Sequence, residues 1–290
     1  MRSSRKQILA ALALGVALFT GKPAFAQAPS SQQPAAPAAT DKDKAQAPVA
    51  PLTLDAAPPP VNAEEDAAMK AFRDAPIADV AKKDQMGEEF VRKYPQSRYR
   101  VEVYGWLVRG YLSLGQMDKM EAAGDKELEL EPNDPQTLAI VGSMLPRAMS
   151  SSMPDAQREK RLAKAEQYCK KALEILPTYA KPANMSDELF VAAKNQTAAM
   201  AYSGLGLVAF RRAKYSDAIP SLEQAIKLES SPDPVNFYLL GLCNEKASHF
   251  DDAVAAFTKC AVLPGGLQAT CKSSTDEAKK LAATQLSVPK

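Results

Sequence analysis

Four cysteines and one histidine come first, because their chemistry is the most easily tested by spacing: Cys169, Cys243, Cys260, Cys271 and His249. A zinc site takes four thiolate or imidazole ligands, usually delivered as closely spaced pairs. The chain has no Cys-x-x-Cys, and one histidine cannot complete such a set, so no metal is expected. In an oxidising compartment a disulfide is the alternative. Cys260 ends an apolar-periodic helix and Cys271 lies past the Pro264-Gly265-Gly266 turn. These two are expected to be bonded, stapling a final helix to the one before it. Cys169 and Cys243 fall on core-type helical positions, where a buried free thiol is expected.

Other candidate chemistry is thin. His249 stands at a turn between helices and is expected to be solvated. Gly204-Leu205-Gly206 lies inside a helical pattern with no strand before it, so it does not read as a phosphate loop. Glu88-Glu89 and Asp251-Asp252 fall on exposed faces or at helix starts, where acids complement the helix dipole. No serine has the setting of a nucleophile elbow. The expectation is therefore no catalytic residue, no cofactor and no metal.

The elements that carry these residues are helical. From Ala63 onward the apolar spacing has the helical period, and Ala, Leu, Glu, Lys and Gln dominate. Helices are predicted over 63–73, 77–93, 99–114, 117–130, 134–147, 155–176, 187–212, 215–229, 234–247, 250–262 and 274–286. Clear stops separate them, such as Tyr94-Pro95-Gln96, Glu131-Pro132-Asn133-Asp134-Pro135 and Pro232-Asp233-Pro234.

Two stretches repeat each other. Tyr202, Leu205, Gly206, Tyr215, Asp217, Ala218 and Leu222 recur thirty-five residues later as Phe237, Leu240, Gly241, Phe250, Asp252, Ala253 and Phe257. A period of this length marks stacked helix pairs. The order of large and small residues resembles the tetratricopeptide repeat, with position 1 at Ala199 and at Pro234. Earlier units are more worn. One beginning at Val101 offers Tyr104, Leu107, Tyr111, Gly115 and Pro132, but Met120 and Gly124 depart from the pattern. Another begins at Pro135, and its second helix returns late as Ala165, Cys169, Ala172 and Pro177, after an insertion around Ser150-Ser151-Ser152. Residues 63–95 read as a further degenerate unit. The stretch from Phe90 to Ser97 also looks like cell-envelope members of this family.

The resemblance implies an all-α, right-handed α-solenoid of helix–turn–helix units over 63–290, with the clearest repeats at 101–134, 199–233 and 234–267. A degenerate repeat occupies 135–178 and a capping helix 274–286, started by Ser274 or Thr275 as N-cap. It also implies a concave groove lined by positions 2, 5, 9 and 12 of each first helix. Those positions are Glu102, Gly105, Arg109 and Leu112; Met200, Ser203, Leu207 and Phe210; and Val235, Tyr238, Leu242 and Glu245. The Lys and Asn of the family's carboxylate clamp are missing, so the implied ligand is an apolar extended segment or amphipathic helix. Leu207 and Phe210 have an alternative role, packing against the long helix that precedes them.

The ends bound the setting. Arg2, Arg5 and Lys6 precede an apolar run from Ile8 to Phe19, and Ala24-Phe25-Ala26 follows, which reads as a signal peptide cleaved before Gln27. Cleavage removes four cations and no acid, taking the net charge from +2 to −2. A near-neutral product argues against nucleic acid as partner, and no later segment is long and apolar enough for stable membrane insertion. Residues 27–62 are mostly Ala, Pro, Gln and Ser and are expected to be a disordered linker. The functional expectation is an exported, periplasmic or secreted scaffold or adaptor without catalysis, binding a protein or peptide. Two alternatives stay open: an enzyme or accessory subunit using the 148–185 insertion, and a structural protein that self-associates.

Overall fold

The computed structural model describes residues 62–183 and 185–286, so the expected signal peptide and nearly all of the expected linker lie outside the described residues. Among these residues there are eleven α-helices and no strand. They are α1 Ala63–Asp74, α2 Val80–Lys93, α3 Arg100–Ser113, α4 Met117–Leu130, α5 Pro135–Met144 and α6 Asp155–Ile175, followed by α7 Asp187–Arg211, α8 Tyr215–Leu228, α9 Pro234–Lys246, α10 Phe250–Val262 and α11 Gln268–Leu286.

Local chemistry starts these helices where the sequence places them. Asn62 accepts from the Glu64 amide at 3.1 Å, and Asp79 from that of Lys82 at 3.2 Å. Two starts share an Asp-Pro pair. Asp134 accepts from the Thr137 amide at 2.6 Å and Asp233 from the Val235 amide at 2.9 Å, with Pro135 and Pro234 in the first turn. Aspartate satisfies an orphan donor there, and proline has none to satisfy.

The turn inside a repeat is the same in three units. Gly115, Ala213 and Ser248 take φ of 69°, 58° and 64° at equivalent places. The next amide in each case returns to the helix before it: Gln116 to the Tyr111 carbonyl at 2.8 Å, Lys214 to Ala209 at 2.9 Å and His249 to Asn244 at 2.8 Å. This left-handed cap closes the carbonyls of the helix end. Only the first unit has the glycine that this backbone favours. His249 is the exposed residue after such a cap, as expected of a solvated turn.

Helix pairs then cross at a shared point. A methyl on Gly206 would sit 2.7 Å from the Leu222 side chain, and one on Gly241 would sit 2.5 Å from the Phe257 ring. Gly142 meets the Cys169 sulfur in the same way at 2.7 Å, which shows that α6 is the second helix of the interrupted unit. In α3 and α4 the sizes are exchanged. Val108 holds the place of the glycine, and Gly124, which breaks the sequence pattern, receives Val141 from α5 and lies beside Val108. Close crossing needs one small partner, whichever helix supplies it.

The stack runs as α1–α2, α3–α4, α5–α6, α7–α8 and α9–α10, closed by α11 on α10. Helix α6 is poor in apolar residues, and ion pairs tie it to both neighbours. Arg161 and Lys164 reach Glu121 and Asp125 on α4 at 2.6–3.1 Å, while Arg212 at the end of α7 reaches Glu159 and Glu166.

Two expectations about helix ends are corrected. The final helix starts at Gln268 instead of 274, and neither Ser274 nor Thr275 caps it. Both are buried within α11, and the Thr275 hydroxyl donates to the Cys271 carbonyl at 2.8 Å. The cause is the bridge: Cys260 and Cys271 are bonded, with Cα atoms 5.8 Å apart, so the chain must be seated on α10 from its first turn. Before the insertion, α5 stops at Met144 instead of 147, and residues 145–154 continue as turns and bends with Leu145, Pro146 and Met149 buried. Cys169 and Cys243 are free and buried, and burial pushes both thiols up to about 12.

Candidate partner-binding face

The twelve groove positions do not share one fate. Arg109 and Glu102 are exposed, and Leu112, Met200, Phe210, Leu242 and Glu245 are half-buried. Arg109 donates to the Gln136 side chain at 3.4 Å, and Glu102 is bound to Arg73 of α1 at 2.6 Å. Phe210 keeps an edge contact to Tyr215, with ring centroids 5.7 Å apart. These are the groove positions of α3, α7 and α9 that stay at least partly accessible.

The other five are interior. Leu207 is 1% exposed and belongs with Leu222, Val235, Leu239 and Cys243 to one apolar cluster, so it is packed, with residues of α8 and α9, which follow it, and not with the long helix before it as the alternative had it. Tyr238 is buried with its ring 5.8 Å from that of Phe257. Gly105 lies against the Glu127 carboxyl. Neighbouring first helices approach closely enough that positions 2, 5 and 9 are partly consumed in joining one repeat to the next.

Ser203 is closed for a different reason. The Arg147 guanidinium donates to its hydroxyl at 3.1 Å and pairs with Asp233 at 3.4 Å. The Ser203 hydroxyl in turn donates to the fully buried Asn236 at 2.7 Å, and Glu229 accepts from the Asp233 amide at 2.8 Å. Burial pushes Glu229 up from its ordinary range. The turn that leads into the insertion is therefore a strap across α7 and α9. Sequence reasoning missed Arg147, Asp233 and Asn236 as a unit. One signal was available: Asn236 is a polar residue inside the otherwise apolar run from Val235 to Leu242.

Elsewhere the chemistry stays sparse. Among the described residues no group of three or more His, Cys, Asp or Glu could hold a metal ion, and no helix is long and apolar enough to cross a membrane. A cleft between α6, α7 and α8 is lined by Glu166, Lys170, Arg212, Lys214 and Asp217 around Leu205 and Val208. Its charged groups Arg212 and Glu166 are already paired with each other.

Consecutive helix pairs, a glycine-dependent crossing in each late unit and a recurrent left-handed turn define a tetratricopeptide-type α-solenoid. Solved structures of similar fold include TTC0263, a thermophilic TPR protein of Thermus thermophilus, at 18% identity over 74% of this chain and 99% of that one, with a TM-score of 0.46. PilW, a type IV pilus biogenesis factor, is 18% identical over 77% of this chain and 90% of that one, with a TM-score of 0.45. MamA is 16% identical over 76% and 96%, with a TM-score of 0.43. No family model matches the sequence, and no curated protein does.

Proposed function

We propose that this chain is a non-enzymatic scaffold or adaptor of the bacterial cell envelope, holding a segment of a partner protein on the open side of α3, α7 and α9. The observation that carries the reading is the half-buried apolar set Leu112, Met200, Phe210 and Leu242, flanked by Arg109 and Glu245. Such a surface offers apolar anchorage with charged edges, which suits an amphipathic helix or an extended apolar segment. The leader-like residues 2–26 support export, with Gln27 as the first residue of the mature chain.

The test is site-specific photo-crosslinking in native envelopes, with the probe placed in turn at Phe210, at Leu242 and at the exposed Lys160 of α6 as control. A discrete adduct from the first two sites and none from Lys160 supports the groove. Equal adducts from all three sites, or none, would refute it. Fractionation with N-terminal sequencing tests export separately: a chain that keeps Met1 and stays cytoplasmic overturns the envelope setting. The pairing of Phe210→Ala with Leu242→Ala is the matching loss-of-binding variant, because Tyr238 is needed by the core.

A further inference from the structure

Helix α3 lies between two buried carboxyls that have no salt-bridge partner among the described residues. On the α2 side, Asp84 is 3% exposed and its Oδ1 accepts from the Trp106 indole at 3.0 Å, while Oδ2 is buried with no hydrogen bond. It presses on Gly110, where no side chain would fit. On the α4 side, Glu127 is 5% exposed, presses on Gly105 and accepts from the Thr137 hydroxyl of α5 at 2.6 Å.

The charges around them do not neutralise them. Asp84 is faced by Glu88 on its own helix, by Trp106 and Tyr111 of α3 and by Lys119 of α4. That lysine is engaged by Glu88 at 2.8 Å, and Tyr111 donates to the same carboxylate at 2.6 Å. Glu127 is faced by Glu131 on its own helix, by Asp134 at the start of α5, by Arg109 of α3 and by Tyr179 of the loop after α6. Arg109 gives its hydrogen bond to Gln136 instead. An ionised carboxylate buried without a close cation is costly, and the protonated form costs much less.

We propose that α2 through α5 form a proton-operated joint, seated when Asp84 and Glu127 hold protons and loosened when they carry charge. Burial pushes Asp84 up to about 6 and Glu127 up to about 7. Both are raised, so the folded joint binds protons more tightly than the opened one. The stability they contribute is complete below the ordinary carboxylate range and is lost as pH rises through 6 and 7. The opening equilibrium grows on the order of fiftyfold between pH 5 and pH 8 through Glu127 alone, and about tenfold through Asp84.

Hydrogen exchange of the intact protein at pH 5 and pH 8, expressed as protection factors, tests this directly. Amides of α3, α4 and α5 lose protection at pH 8 while those of α10 and α11 hold theirs. Glu127→Gln leaves about a tenfold change, and the double variant with Asp84→Asn leaves none. Equal protection of α3–α5 at both pH values in the unmodified protein overturns the proposal. So does a pH dependence that persists in the double variant. The wild-type comparison decides the matter even if a variant fails to fold.

Discussion

Replacing Gly241 by alanine sets two effects of known sign against each other. Within a helix the change gains about 1 kcal/mol of intrinsic propensity. In this crossing the new methyl would stand 2.5 Å from two carbons of the Phe257 ring, and Phe257 is fully buried. Normal carbon contacts lie near 3.5–4.0 Å, so ring and helix must part by about 1 Å. Overpacking of this kind costs about 1–3 kcal/mol, and because the ring has nowhere to go the upper half of that range applies. Gly241→Ala is therefore expected to destabilise by about 1–2 kcal/mol net. Phe257→Ala alone opens a cavity and costs about 3–5 kcal/mol. With both changes the methyl enters that cavity and the propensity gain returns, so the pair couples favourably by about 2–3 kcal/mol. Urea unfolding of the four proteins, with slopes compared to confirm a common transition, measures the cycle. A Gly241→Ala protein more stable than its parent, or a coupling within error of zero, would show that the crossing is not close.

Four further outcomes are expected. Ala213→Gly and Ser248→Gly, each at a left-handed φ, should stabilise by about 1 kcal/mol, and thermal melting that shows no gain would place the turns outside that region. Thiol titration after unfolding without reductant should find two free thiols, and four with it; Cys260→Ser with Cys271→Ser should lower stability by about 2–3 kcal/mol. Glu121→Gln leaves Arg161 and Lys164 short of a partner at a site about one-fifth exposed, and should cost about 1–2 kcal/mol, less in high salt. Arg147→Met removes the donor to the Ser203 hydroxyl and should speed exchange in the strap, measured at the amides of 147–149, while leaving α10 unchanged.

Much of the fold was legible because its signals are local. Proline-bounded breaks and the thirty-five-residue echo between Tyr202 and Phe257 located the helices to within a few residues almost everywhere. The start of α11 was misread, since Ser274 and Thr275 have cap chemistry whose use depends on what lies upstream, and there Cys271 had already fixed the helix on α10. Gly124 looked like decay because its compensation, Val108 and Val141, sits on two other helices. Which of the expected groove positions stay accessible was legible only in part. Heptad-like spacing says which side of a helix a residue occupies, and Phe210 and Leu242 obey it. It does not say how near the neighbouring helix stands, and that distance is what buried Leu207 and Tyr238. Arg147 falls in the predicted helix 134–147, which stops at Met144, so its side chain leaves from a turn that the repeat pattern does not foresee.

The bridge between α10 and α11 gives the stack a polarity. A row of helix pairs unravels from whichever end is weaker, and among the described residues one end is locked covalently while the other is α1, held without a covalent link by buried Met69 and Phe72 and by exposed pairs such as Arg73 with Glu102. Melting, digestion or a pull along the chain should therefore proceed like a zip opened from the amino-terminal side. The last two repeats would remain a folded stub after the first two have gone.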